Sequence, residues 1–137
     1  MARQVVNYTV EQDGRDKGKC FVITEMPAAQ AERWAMRALL ALMRTNPELP
    51  EGSELTGMAG LAQHGLRALS GIRWEDAEPL MDEMMSCVRI MPDVSRPSVV
   101  RPLIDEDIEE VATRIELRRQ VWKLHTDFFI NAAQSRG

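Results

Sequence analysis

Several things are scarce in this 137-residue chain, and each scarcity excludes something. There are two cysteines, Cys20 and Cys87, far apart and each in an apolar stretch. Both read as reduced core thiols of a cytosolic protein, with a single disulfide as the other option. There are two histidines, His64 and His125, and with the cysteines they give no C-x-x-C or H-x-x-x-H spacing. That argues against a structural zinc. Basic residues number 17 against 21 acidic ones, for a net charge of −4. The basic excess of a generic nucleic-acid binder is missing. No window approaches the roughly 20 apolar residues of a membrane span. The first residues, "MARQVVNYTVEQDG", lack the apolar run of a secretory signal. Together these place the chain in the cytoplasm and off the membrane.

What is present is an apolar content of 45%, ordinary for one globular domain, with an unusual share of it in nine methionines against seven aromatic residues. Methionine fills irregular core gaps and also suits adaptable binding surfaces.

The segment "DGRDKGKCFVITEMP" invites a phosphate-loop interpretation. Such a loop needs two glycines with four residues between them, then Lys and a hydroxyl residue, opening into a helix. Here only three residues separate Gly14 from Gly18, and Cys20 follows Lys19. The flanks settle the matter. "VVNYTVE" alternates, with Val6, Tyr8 and Val10 on one side, and "CFVITEM" is rich in strand formers. A β-hairpin over 5–26, turning at Asp13-Gly14, is expected, with Lys17 and Lys19 as solvated loop charges.

Pro27 suits the first turn of a helix. Ala31, Trp34, Ala35, Ala38, Leu39 and Leu42 then recur at helical spacing, with Gln30, Arg33, Arg37 and Arg44 opposite. "ALLALM" is apolar nearly all round, as in a helix buried on more than one side. Asn46-Pro47 ends it. A second helix is expected within "LTGMAGLAQHGLRALSG", where Leu55, Met58, Leu61, Ala62, Leu66 and Leu69 share a face. Its glycines each cost about 1 kcal/mol. A third is expected over 74–91, with a stripe of Ala77, Leu80, Met81, Met84 and Val88, widened by Met85 and Cys87, and an acidic face of Glu75, Glu78 and Asp82. "MPDVSRPSVVRPL" holds three prolines and reads as an extended connection. A long last helix is expected over 105–132. Its stripe would be Ile108, Val111, Ala112, Ile115, Trp122 and Phe129, with acids in its first turns and a Glu110–Arg114 pair. The expected fold is therefore α+β, mainly α: a hairpin (5–26), a helical core (27–90), a proline-rich connection (91–104) and a C-terminal helix (105–132), about four helices in one domain over 1–137.

Catalytic constellations are missing from the pattern. Ser53, Ser70, Ser86 and Ser95 have no G-x-S-x-G context. "IDEDIEE" lacks the glycine and distal ligand of a calcium loop, and reads as a favourable helix start. Glu75, Glu78 and Asp82 lack the E-x-x-H partner of a di-iron site. The basic run "RIELRRQVWKLH" is what a helix C-terminal half prefers, so nucleic acid is a weak candidate. No enzyme, cofactor or metal is expected. What remains is a protein-binding role. Candidate partner-contact residues are Trp34, Met36, Leu40, Met43, Met84, Met85, Trp122, Phe128 and Phe129, which equally suit a plain core with a homo-oligomer interface.

The order "GRDKGKCFVITEMPAAQAERWAMRALLAL", "GMAGLA", "WEDAEPLMDEMM", "DIEEVATRIELRRQVWKLHTDFF" resembles tail assembly chaperones of long-tailed bacteriophages and prophages, over about residues 13–130. The resemblance implies a small, mostly helical, non-enzymatic protein. Such chaperones coat the aggregation-prone tape measure protein in the cytoplasm of the infected or lysogenic host, help recruit tail tube subunits, and are absent from the mature virion. Many are made in two lengths by frameshifting, and this chain would be the shorter. The alternatives are a permanent tail completion or connector protein of the virion, and a small helical regulatory protein.

Overall fold

The computed structural model describes residues 3–45 and 72–136, with side-chain surroundings for 3–44 and 72–126. The helix expected over 55–70, with His64, lies outside the described residues.

The two strands of the expected hairpin form, but the chain turns at residues 15–18 rather than at Asp13-Gly14, because Gly18 takes the left-handed conformation that closes the loop onto Val10 O. Strand β1 (Val5–Thr9) pairs antiparallel with β2 (Cys20–Thr24), with Tyr8 opposite Phe21 and Val6 opposite Ile23. Helix α1 (Ala28–Thr45) follows Pro27 directly. Trp34, Ala35, Ala38, Leu39, Ala41 and Leu42 are buried on it, so its second half is enclosed over a broad arc, as its composition demands. Helix α2 (Trp74–Met85) buries Leu80, Met84 and Met85 and leaves Glu75, Glu78 and Asp82 exposed.

Here the structure departs from the expected hairpin and helices. The helix expected to reach residue 91 stops at Met85. Cys87 N–H closes a tight turn onto Met84 O at 3.1 Å, and Val88–Met91 becomes strand β3. It pairs with β2, Ile90 facing Phe21 and Val88 facing Ile23. β-Branched residues alternating around exposed Arg89 satisfy a sheet better than a helix. Within the proline-rich connection, Arg101–Pro102 forms a short edge strand, β4, paired with β3. The sheet is thus four-stranded and antiparallel, in the order β1-β2-β3-β4.

The last helix is also displaced. Residues 105–107 form a 3-10 turn, and helix α3 runs Val111–Arg136. The expected stripe is wrong in phase: Val111 and Ile115 are exposed, and Ile108 precedes the helix. Thr113, Leu117, Val121, Leu124 and Thr126 face inward instead. Buried Thr113 and Thr126 belong to the inward face, which an apolar-only pattern does not show.

Phe21, Ile23, Val88 and Ile90 present one sheet face to Trp34, Ala38, Leu80, Met84, Leu117 and Val121. The three helices form a layer on that face, and the core lies between. At roughly 1.5–3 kcal/mol per fully buried large apolar side chain, this layer interface dominates the fold's stabilisation.

Candidate functional site

The hairpin loop is where a reactive site was most easily imagined. Gly18 holds a left-handed φ of +89°, and its N–H bonds Val10 O at 2.9 Å, turning the chain back into β2. Asp16, two residues earlier, is only 1% exposed. Its Oδ1 accepts the Glu109 N–H and Lys19 Nζ, both at 2.9 Å. Its Oδ2 accepts the Glu110 N–H at 2.9 Å and the Thr113 hydroxyl at 2.6 Å. The loop thereby supplies the cap for the start of α3, near residues 109–113. Desolvation opposes ionisation there, but the bonds from Thr113, Glu109, Lys19 and Glu110 outweigh it and hold the carboxyl well below its usual range.

Neighbouring charges complete the clamp. Lys19, expected in solvent, reaches Asp16 and also Asp107 O at 2.8 Å. Asp107 is buried and accepts both Arg101 guanidinium nitrogens, at 2.7 and 2.8 Å, and the Ile104 N–H. Glu110 pairs with Arg15 of the loop at 3.1 Å, rather than with Arg114. The first turn of α3 contains no acid of its own. The acids of "IDEDIEE" come before the helix, and its capping carboxylate arrives from across the fold. The carboxylates of Asp16, Asp107 and Glu110 are each engaged by groups of the fold itself. Among the described residues no three metal-ligating side chains converge, and no buried side-chain nitrogen or oxygen lacks a partner.

The residues nominated for partner contact separate into three groups. Trp34, Met84 and Met85 are core. The Trp34 indole N–H donates to Leu80 O at 3.1 Å, tying α1 to α2, and its ring meets Trp122 edge-to-face at 6.0 Å, tying α1 to α3. Met36, Met43 and Trp122 are half-buried, and Leu40 is 50% exposed. Phe128 and Phe129 lie on α3, with side-chain surroundings outside the described residues. His125 is half-buried and structural. Its Nε2 accepts the Met26 N–H at 2.8 Å, which leaves the proton on Nδ1 to be donated to Val121 O.

Accessible apolar surface is found at Leu40 and at residues outside the nominated set. Leu40 sits in a shallow groove between α1 and α2, beside Arg37, Arg44, Glu75 and Asp76. Trp74, at the start of α2, is 61% exposed. A wider cleft separates β1 from the first turns of α3 and is lined there by Ala112, Ile115 and Glu116; Val111, one turn before Ile115, is exposed as well. The sequence carried no signal for Trp74 as surface, because it falls at the margin of its helix. Asp16 was missed because its partners lie 93 to 97 residues away.

No protein-family model, curated protein or solved structure matches this chain. Among the described residues, no helix is long and apolar enough to cross a membrane.

Proposed function

We propose that the chain is a non-enzymatic tail assembly chaperone of the long-tailed phage type. It holds the tape measure protein in the host cytoplasm, helps bring tail tube subunits to it, and leaves before the virion is complete. The observation that carries this most directly is how the side chains divide. Among the described residues every buried side-chain nitrogen and oxygen has a hydrogen-bond partner, while exposed large apolar side chains are scattered over β1, α1, α2 and α3, at Val5, Leu40, Trp74, Val111 and Ile115.

A holder of a long amphipathic client needs many weak apolar contacts and no single deep pocket. The net charge of −4 keeps a densely coated client soluble. The tape measure protein as client is what the resemblance of the motif order over residues 13–130 implies. Co-expression tests it. The tape measure protein of the encoding phage should be soluble with this chain and aggregate without it. Leu40→Ser with Trp74→Ser should lower the soluble yield while leaving the chaperone's own melting temperature in place. A tape measure equally soluble with and without the chain defeats the proposal.

A further inference from the structure

Among the described residues β1 is an edge strand of the sheet, and nothing in its own sequence blocks further pairing. The bonds from Val10 N–H to Lys19 O and from Glu25 N–H to Gln4 O show that the even-numbered residues pair with β2. Val5, Asn7 and Thr9 therefore turn their backbone N–H and C=O groups outward. Proteins usually protect such an edge with lysine, proline, a bulge or a short strand. The opposite edge is protected in this way: β4 is two residues long and contains Pro102. β1 has five residues, no charge and no proline, with Val5 56% exposed.

The cleft beside this edge has a volume of about 760 Å³ and is lined by Tyr8, Thr9, Glu11, Ala112, Ile115 and Glu116. Helix α3 is apolar on two sides. Leu117, Val121 and Leu124 face the core, while Val111 and Ile115 are 73% and 54% exposed. One core explains only the first set.

We propose that β1 and this face of α3 form a two-fold interface with a second copy of the chain. The two β1 strands pair antiparallel and join the two four-stranded sheets. Centring the pairing on Asn7, the middle of the outward row, sets Val5 opposite Thr9 and Arg3 opposite Glu11. The symmetry makes each of these contacts twice. An Arg–Glu pair in that register favours a second copy over a foreign strand, because the cation that answers Glu11 is on the same chain at the right spacing. The two-fold axis is perpendicular to the joined sheet, so both helical layers lie on one side. Val111 and Ile115 of both copies then face the same gap. This interface involves no phage client; it occupies Val5, Val111 and Ile115 and leaves Leu40 and Trp74 exposed for one.

Sedimentation velocity of the full chain over a concentration series tests the proposal. The wild-type chain should be a dimer in reversible equilibrium. Asn7→Pro removes an outward donor and no bond of the monomer's own ladder. Ile115→Glu charges an exposed helix position. Each should weaken dimerisation about tenfold or more with unchanged circular dichroism. Arg3→Glu should weaken it about threefold, and adding Glu11→Arg should restore it, as befits an exposed pair. If Asn7→Pro fails to fold, Ile115→Glu and the charge exchange decide. A wild-type chain still monomeric at about 100 μM, a dimer indifferent to Ile115→Glu and the charge exchange, or an open series of larger oligomers overturns the proposal.

Discussion

Asp16 and Thr113, 97 residues apart in sequence, are joined by a 2.6 Å hydrogen bond inside the protein. Through it the loop of the first hairpin caps the last helix. A glycine-flanked, charged loop that invites comparison with a phosphate loop turns out to bind a helix start of its own chain. The chemistry is related, since a helix N-terminus accepts an anion in both cases. Here the anion is a side chain.

Removing that carboxylate should be costly. Asp16→Ala leaves Lys19 and the N–H groups of Glu109 and Glu110 without their acceptor in a buried place, and should destabilise the fold by about 3 kcal/mol. Asp16→Asn keeps the shape but not the charge, and should cost about half as much. Urea unfolding of the two variants against wild type measures both.

Acid should find the same clamp. Asp16, Asp107 and Glu110 are all held below their ordinary values, Asp107 foremost by Arg101 and Glu110 foremost by Arg15. A depressed folded-state value stabilises the fold at pH above the unfolded value, near 4, and that contribution disappears as the pH falls further. The urea midpoint should therefore be flat from about pH 7 to 5 and fall steeply below about pH 4. Asp16→Asn should flatten the steep limb. A wild-type midpoint that holds steady to about pH 2.5 would contradict this assignment.

Burial, and secondarily Glu83, pushes the Cys87 thiol up to about 11, so almost no thiolate exists at neutral pH. Cys20 is buried as well. Neither thiol should react with a thiol reagent in the native protein on the timescale in which a free cysteine reacts fully. Both should react at once in urea. Timed labelling read by mass spectrometry checks this and would reveal any disulfide.

The nominated contact residues should part company on mutation. Trp34→Ala deletes a side chain that joins α1 to α2 and α3, and should cost about 3–5 kcal/mol. Leu40→Ala, at a half-exposed position, should stay within about 0.5 kcal/mol. Thermal melts distinguish them, and only a stable variant such as Leu40→Ala is informative about client binding.

Local signals were legible in the sequence where neighbours in sequence are also neighbours in space. The hairpin strands, the start of α1 after Pro27 and its broad buried arc all follow from short-range pattern. β3 was not legible, because Met84, Met85, Cys87, Val88 and Met91 continue a helical stripe. Only pairing with β2, with Cys20 opposite Met91, makes the segment a strand. Proline hid β4. Thr113 misled the stripe of α3, since its hydroxyl is buried for the sake of Asp16. Of the candidate site, Leu40 was nominated as a contact residue, but its run, apolar nearly all round, reads as buried, and its 50% exposure appears only in the structure. Trp74, Val111 and Ile115 emerge as surface only once α2 and α3 are fixed against the sheet.

The most direct test of the chaperone assignment is recovery of the tagged chain from cells producing the encoding phage, before lysis, with identification of its companions by mass spectrometry. Cells lacking the tape measure gene are the control. Tape measure and tail tube proteins should come down together, tube recovery should fall in the control, and the chain should be absent from purified particles. Recovery of only head or completion proteins, or the presence of the chain in finished virions, would contradict it.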